Sequence, residues 1–244
     1  MTTNKIIVEV WSDIMCPYCY IGKNYYEKAL SQFEHADILE IEWKAFQLNP
    51  NLPDRGNGYP VTEYLTKTAG MSEDRVNRMF ESVKKLSEDA GLKFNLNNSI
   101  AANSRDAHRL IKLAKQKGTP GADSKVIGDL GKAYFEDAKD YSDWDLLVSI
   151  GKDAGLLESD IQNMLNSDDF IYDITQDIQE AHNLGFDTVP TFLFDRTQAI
   201  VGSEPVDLFL KLMNKVYNNW IVSNETKLGV KKGKSCSIDG TCEI

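Results

Sequence analysis

Long apolar runs are missing from this chain. No stretch approaches the roughly 18 apolar residues that a membrane-spanning helix needs. Basic residues are also in deficit: 27 Lys and Arg face 37 Asp and Glu, giving a net charge of −10 and a pI near 4.9. A chain this acidic is repelled by nucleic acid and by anionic membranes, so neither is expected as a partner. The one basic cluster (Lys227, Lys231, Lys232, Lys234) reads as a solvated tail. The start, MTTNKIIVEV, is too short and too alternating in polarity for a secretory signal, so the expected location is the cytoplasm. Histidine is scarce, with only His35, His108 and His182, none beside a cysteine in sequence. Cysteine is scarce too: four residues in two close pairs, Cys16/Cys19 and Cys236/Cys242. That excludes a disulfide framework for 244 residues. In a reducing compartment, paired cysteines point to redox chemistry or to a metal.

What is present is enough apolar material for a full core, 42% of residues. The length suits one large domain or two small ones. Ile6 to Trp11 alternates as a half-buried strand does. Tyr18, Ile21, Tyr25, Ala29 and Phe33 then recur at helical spacing, and Ile38 to Phe46 alternates again. Residues Gln47 to Pro60, rich in Pro, Gly and Asn, read as loop. A helical block follows: Ser72 to Ala90, Asn103 to Lys117 ending at Gly118, a helix capped by Ser142, a short one capped by Ser159, and about Asp168 to Asn183. The pattern then returns to β at Thr188 to Phe194, turns at Asp195 to Gln198, and gives a short strand at Ala199 to Val201. A last helix spans Pro205 to Trp220. The order β-α-β, helices, β-β-α predicts an α/β fold: one sheet with helices on both faces, and the helical block inserted into it.

The chemistry centres on WSDIMCPYCYIGK, where a strand ends and a helix begins. The thiolate is the reactive form of cysteine, and a helix N-terminus stabilises an anion. Cys16 stands at that end. Pro17 suits the first helical position because its missing N–H costs nothing there. Cys19, three residues on, shares a helix face with Cys16 and can return to attack a mixed disulfide. Two other readings compete. The pair could be buried and structural, or Cys16, Cys19, Cys236 and Cys242 could hold zinc. Pro190, in FDTVPTFLF, opens an apolar strand; its peptide bond is either an ordinary trans bond or a deliberate cis bond.

The CPYC start, the TVPTF segment and the helical insertion together resemble the DsbA family of thioredoxin-fold oxidoreductases. Within that family, SDIMCPYCYIGK, NSRDAHRLIKLAKQKG and GFDTVPTFLFD resemble the FrnE-like branch, often labelled polyketide-biosynthesis dithiol-disulfide isomerases. The resemblance covers about Ile6 to Trp220. It implies a thioredoxin-like fold with a large all-helical insertion: a thioredoxin-like domain at 1–60 and 184–222, the insertion at 61–183, and a tail at 223–244. It implies that Cys16 is the nucleophile and Cys19 the resolving cysteine. Val189 and Pro190 become the cis-proline pair beside them, where Val189 offers backbone groups to an extended substrate. Pro17 and Tyr18, the latter expected to be exposed, complete the substrate contacts. The expected activity is cytosolic thiol-disulfide exchange on protein or peptide thiols and disulfides, with glutathione a further candidate partner and no cofactor. CPYC also occurs in glutaredoxins, but Pro190 lies too far from Cys16 for so compact a fold. Kappa-class glutathione transferases and hydroxychromene-carboxylate isomerases share the architecture, which leaves a glutathione-dependent small-molecule reaction as an alternative. They usually lack the second cysteine of the pair.

Cys236 and Cys242 flank an Asp-Gly turn signal in CSIDGTC. They read either as a second redox pair serving Cys16/Cys19 or as a tail clip. His108 matches the family pattern, but packing or a hydrogen bond at the insertion interface is its expected role. Asp13 stands open between tuning Cys16, taking a proton from Cys19, and serving as a cap or surface residue. Trp43 and Trp144 are expected in the core.

Overall fold

The computed structural model describes residues 5–225. The first elements are β1 (Ile6–Ser12), α1 (Pro17–Gln32) and β2 (Leu39–Ala45). Then come β3 (Tyr59–Pro60), α2 (Val61–Glu63), α3 (Glu73–Asp89), β4 (Ile100–Ala101), α4 (Arg105–Lys117), α5 (Ala122–Gly131), α6 (Trp144–Asp153), α7 (Glu158–Leu165) and α8 (Ile171–Asn183). The chain closes with β5 (Thr191–Phe194), β6 (Gln198–Val201) and α9 (Val206–Glu225).

The main sheet has the order β2-β1-β5-β6. β1 runs parallel to β2, from Ile6 opposite Leu39 to Ser12 opposite Ala45, and antiparallel to β5. A parallel pair needs a crossover, and α1 supplies it. Both faces of β1 are covered, so nearly all its residues are buried. Alternation still decides where each goes. Val8, Val10, Phe192 and Phe194 join Tyr26 of α1 and Phe209 of α9 in the main core. There Tyr26 stacks on Phe192 at 5.6 Å and meets Phe209 edge-on at 5.8 Å. Trp11 and Leu193 point the other way, into a small cluster with Phe46 and Ala181 of α8.

Several expectations need correction. The segment 61–183 is not wholly helical, because Ile100–Ala101 pairs with Tyr59–Pro60 in a two-stranded ladder. Its last helix, α8, packs on β2 as well as on α4, so it also covers the main sheet. Ser142 does not cap α6. Asp143 does, accepting from the Asp145 N–H, while the Ser142 hydroxyl donates to Asp140. Helix α7 begins one residue before Ser159, with Leu157 at its N-cap. Helix α8 begins at Ile171, not Asp168, and α9 runs past Trp220 to Glu225. Gly118 ends α4 in an extended conformation, not a left-handed one. It is needed for space, since a Cβ there would lie 2.4 Å from the Ala122 Cβ. Trp43 is buried, and its indole N–H donates to Ser124. Trp144 is only half-buried. Its N–H donates to Asp106, and the Arg55 guanidinium lies over its ring at 4.7 Å.

Candidate active site

Strand β1 delivers the chain to the site and a tight turn starts the helix. The Cys16 N–H donates to the Asp13 carbonyl at 3.1 Å, and the Cys19 N–H to the Cys16 carbonyl at 3.0 Å. Cys16 is the N-cap of α1, with extended backbone angles, and Pro17 follows at the first helical position. Both cysteines are free thiols, and only 4–5% of each is exposed. The Val189–Pro190 peptide is cis. It sets the Val189 carbonyl 3.6 Å from the Cys16 sulfur, which donates its S–H to it. Pro190 rests on α1 at Gly22, where a Cβ would come within 3.1 Å of the proline ring.

The structure therefore places Cys16, Val189 and Pro190 together, with Cys19 one turn along α1. Pro17 is half-exposed beside them. Tyr18 is half-buried, not exposed, because its ring packs against the main core. Burial, and secondarily the neighbouring Cys16 sulfur, raise the pKa of its phenol. Cys236 and Cys242 lie outside the described residues. So does half of the zinc set they would complete. Among the described residues, no group of three or more His, Cys, Asp or Glu could hold a metal.

The environment of Cys19 sets its chemistry. Burial comes first and pushes its thiol well above the usual range; donation to the Cys16 sulfur and that sulfur's charge push the same way. The Ser12 hydroxyl and the Asp13 backbone N–H donate to the Cys19 sulfur and oppose the rise. The proton is therefore held on Cys19. Ser12 has no sequence signal of its own. It is found only because β1 ends beneath the helix.

Asp13 is not a surface residue, being 1% exposed. Its Oδ2 accepts from the Leu48 N–H at 2.7 Å, while its Oδ1 has no hydrogen bond. His108, on α4, brings Nε2 to 3.5 Å from that Oδ1 and to 3.0 Å from the Phe46 carbonyl. Asp177 of α8 ties the sheet down near the same end. Its Oδ2 accepts from the Ala45 N–H at 2.8 Å and meets Lys112 Nζ at 2.5 Å. Its carbonyl accepts from the Trp11 indole at 2.9 Å. Trp11 in turn meets Phe186 edge-on at 5.3 Å, just before the cis-proline.

A family model, the DSBA-like thioredoxin domain, matches residues 7–214. The chain belongs to this family. Among solved structures, a probable DsbA oxidoreductase from Streptomyces coelicolor is 28% identical with a TM-score of 0.81, and the match covers 98% of this chain and 99% of that one. The uncharacterized protein YwbO of Bacillus subtilis strain 168 is 24% identical over 213 residues, 85% of this chain and 95% of its own. The cytosolic disulfide reductase DsbM of Pseudomonas aeruginosa shares the fold, with a TM-score of 0.57 at 12% identity over 91% of this chain and 98% of that one. The fold is thus the DsbA-like thioredoxin fold, as the sequence implied. Among the described residues, no helix is long and apolar enough to cross a membrane.

Proposed function

We propose that this DSBA-like chain is a cytosolic thiol-disulfide oxidoreductase or isomerase of the FrnE-like branch, acting on protein or peptide disulfides through Cys16 and Cys19. The observation that carries the reading is the Cys16 sulfur at the N-terminus of α1, 3.6 Å from the Val189 carbonyl, with Cys19 one turn behind. The Cys16 thiolate attacks a substrate disulfide. One substrate sulfur leaves as a thiolate and the other bonds to Cys16. Cys19, once deprotonated, attacks the Cys16 sulfur and releases the second substrate thiolate, which leaves a Cys16–Cys19 disulfide. The substrate is thereby reduced by two electrons. The Val189 backbone next to the cis bond offers an edge on which an extended substrate segment can pair, with Pro17 and Tyr18 at its border.

Reduction or isomerisation suits a reducing cytosol better than net oxidation. The likeness of fold to a cytosolic disulfide reductase accords with that direction. Glutathione is the candidate small-thiol partner. Cys236 and Cys242 are proposed as a second redox pair that exchanges disulfides with the first. The polyketide label of the branch has no support in these residues.

Insulin-disulfide reduction by metal-free protein tests the reading. Turnover is expected for wild type and absent for Cys16→Ser, while Cys19→Ser accumulates a mixed disulfide with substrate. Absence of turnover in wild type with its thiols free would refute it. Glutathione-dependent activity surviving Cys19→Ser would favour a small-molecule reaction instead.

A further inference from the structure

The two edges of the main sheet are finished differently. Strand β2 carries Glu40, Glu42 and Lys44, and helix side chains cap its outer edge. Lys112 donates to the Trp43 carbonyl at 3.3 Å, and Asp177 accepts from the Ala45 N–H at 2.8 Å. Charges and covering groups of this kind stop a bare strand edge from pairing with another chain. Strand β6, at the other edge, has none of them. Its residues, QAIV, include no charge and no proline. The Gly202 N–H donates to the Pro190 carbonyl at 2.7 Å, and in that register Gln198, Ile200 and Gly202 turn their backbone groups toward β5. The N–H and C=O groups of Ala199 and Val201 therefore point outward, where no described strand pairs with them. Ala199 is exposed, and Val201 is 51% exposed. Beside this edge runs an open groove walled by Glu204 and by Leu208, Lys211, Leu212 and Lys215 of α9. Leu208 is 41% exposed there.

We propose that this edge is the interface between two copies of the chain, joined by antiparallel pairing of β6 with β6 of the copy across a twofold axis. The proposal goes beyond the dithiol reading and does not depend on it. An edge strand paired with itself about a twofold is self-complementary. The register follows from which backbone groups are free. A dyad at Ile200 sets Ala199 opposite Val201 of the copy on both sides, and each such pair exchanges its N–H and C=O groups. Every outward group of the two residues is then used. The side chains of α9 agree with that arrangement. Lys215 Nζ donates to the Gln198 side chain at 2.7 Å, so Lys215 stands level with the start of β6, while Glu204 and Leu208 stand near its end. The twofold reverses this order. It brings Glu204 and Leu208 of one copy beside Lys215 and Leu212 of the other, acid against base and leucine against leucine. Lys211 meets its own copy near the dyad, and its long stem lets the ammonium stay in water. Strand β1 is parallel to β6 within one copy, so the two CPYC ends point opposite ways and both dithiols stay open.

The test is sedimentation velocity on the full chain over the micromolar range, at physiological ionic strength and with a phosphine reductant that excludes disulfide-linked species. A species of twice the chain mass is expected, with slow amide exchange at Ala199 and Val201 that speeds up on dilution. Ala199→Lys/Val201→Lys sets lysine opposite lysine at both pairs and is expected to weaken the dimer roughly tenfold or more. Ala199→Lys/Val201→Glu sets lysine opposite glutamate in the same register and is expected to keep it. Both positions are exposed, so both variants keep the fold, which circular dichroism checks. If either fails to fold, the pair at α9 decides: Lys215→Glu weakens the dimer, and Lys215→Glu/Glu204→Lys restores it. Equal affinity of the two members of either pair, tight or weak, would overturn the proposal. A wild type that stays monomeric would overturn it too, and protected amides at Ala199 and Val201 in that monomer would assign the edge to the chain's own segment 226–244. Insulin reduction plays no part in these readouts, so failure of the dithiol reading would leave them unchanged.

Discussion

Asp177 is the place where one side chain holds three elements, so its removal has a calculable cost. It accepts from the Ala45 N–H on the sheet-edge strand β2, pairs with Lys112 of α4, and sits in α8, whose carbonyl at the same residue holds Trp11. Asp177→Ala leaves the buried Ala45 N–H without an acceptor, which costs about 1–3 kcal/mol. It also leaves Lys112 and Lys44 short of a counter-charge. Breaking a buried pair costs roughly 3–5 kcal/mol. That figure must be cut here, because Lys44 keeps Glu42 at 2.8 Å and Glu180 at 3.4 Å, and Lys112 is partly exposed. A net loss of about 3 kcal/mol follows. At a urea slope of roughly 3 kcal/mol per molar, the unfolding midpoint should fall by about 1 M. Asp177→Asn keeps an acceptor for Ala45 and loses only the charge, so its midpoint should fall between the two. Amide exchange at Ala45 should speed up in Asp177→Ala and not in Asp177→Asn. An unchanged midpoint in Asp177→Ala, or unchanged Ala45 exchange, would refute the reasoning.

Other substitutions separate packing from chemistry. Gly131→Ala places a Cβ 2.3 Å from the Tyr20 ring. That ring is stacked against Phe94 and Phe135 and tied to Glu136, so it cannot yield. A loss of about 1–2 kcal/mol in urea unfolding is expected, after the helix preference of Ala is credited. Gly22→Ala meets the edge of Pro190 at 3.1 Å and touches the Phe192 ring at 3.4 Å. Its stability should stay within about 1 kcal/mol of wild type, while insulin reduction slows because the cis-proline is pushed off Cys16; equal turnover would contradict this. Burial raises the phenol pKa values of Tyr26, Tyr134 and Tyr141 in the folded chain. The unfolded chain, with tyrosines near 10, then releases protons first and binds fewer of them. Stability must fall as pH rises above about 10. Urea midpoints that hold constant from about pH 8 to about pH 11 would contradict that sign.

The parts legible in the sequence are those whose signals are local. The β1 sequence alternates, CPYC begins a short turn after it, and Val189–Pro190 opens a run of four buried residues. The dithiol is therefore readable from local pattern, while the cis bond at Pro190 is implied only by the family resemblance. Helix α5 carries no such clear local signal, since glycines at 128 and 131 disfavour a helix interior. They are there because Lys23 and Tyr20 of α1 cross at those points, with Lys23 Nζ 3.2 Å from where a Gly128 Cβ would sit. Ser142 and Ser159 resembled caps by residue type, but Asp143 competes for one end and Leu157 takes the other. Asp13 and His108 could be flagged singly and not joined, since nothing in their spacing says that α4 returns to the end of β1.

Helix α4 explains why a helical block should lie inside a redox fold. His108 and Lys112 are four residues apart and share one of its faces. The first meets Asp13, behind the dithiol, and the second meets Asp177, behind Trp11. Arg109 lies between them in sequence, and its guanidinium is held by the backbone carbonyls of Met164, Ser167 and Asp169, which fixes α4 against the segment that leads into α8. One helix face thus touches the supports of both halves of the site: Cys16 and Cys19 through Asp13, and the cis-proline loop through Asp177, Trp11 and Phe186. Arg109→Lys keeps the charge but cannot reach three carbonyls at once. It should therefore impair resolution by Cys19 and capture of substrate together, whereas His108→Phe should impair resolution alone. Rapid-mixing kinetics that show the same pattern for both variants would mean that α4 acts on the site as a single rigid support, with no separate role for its His108 contact.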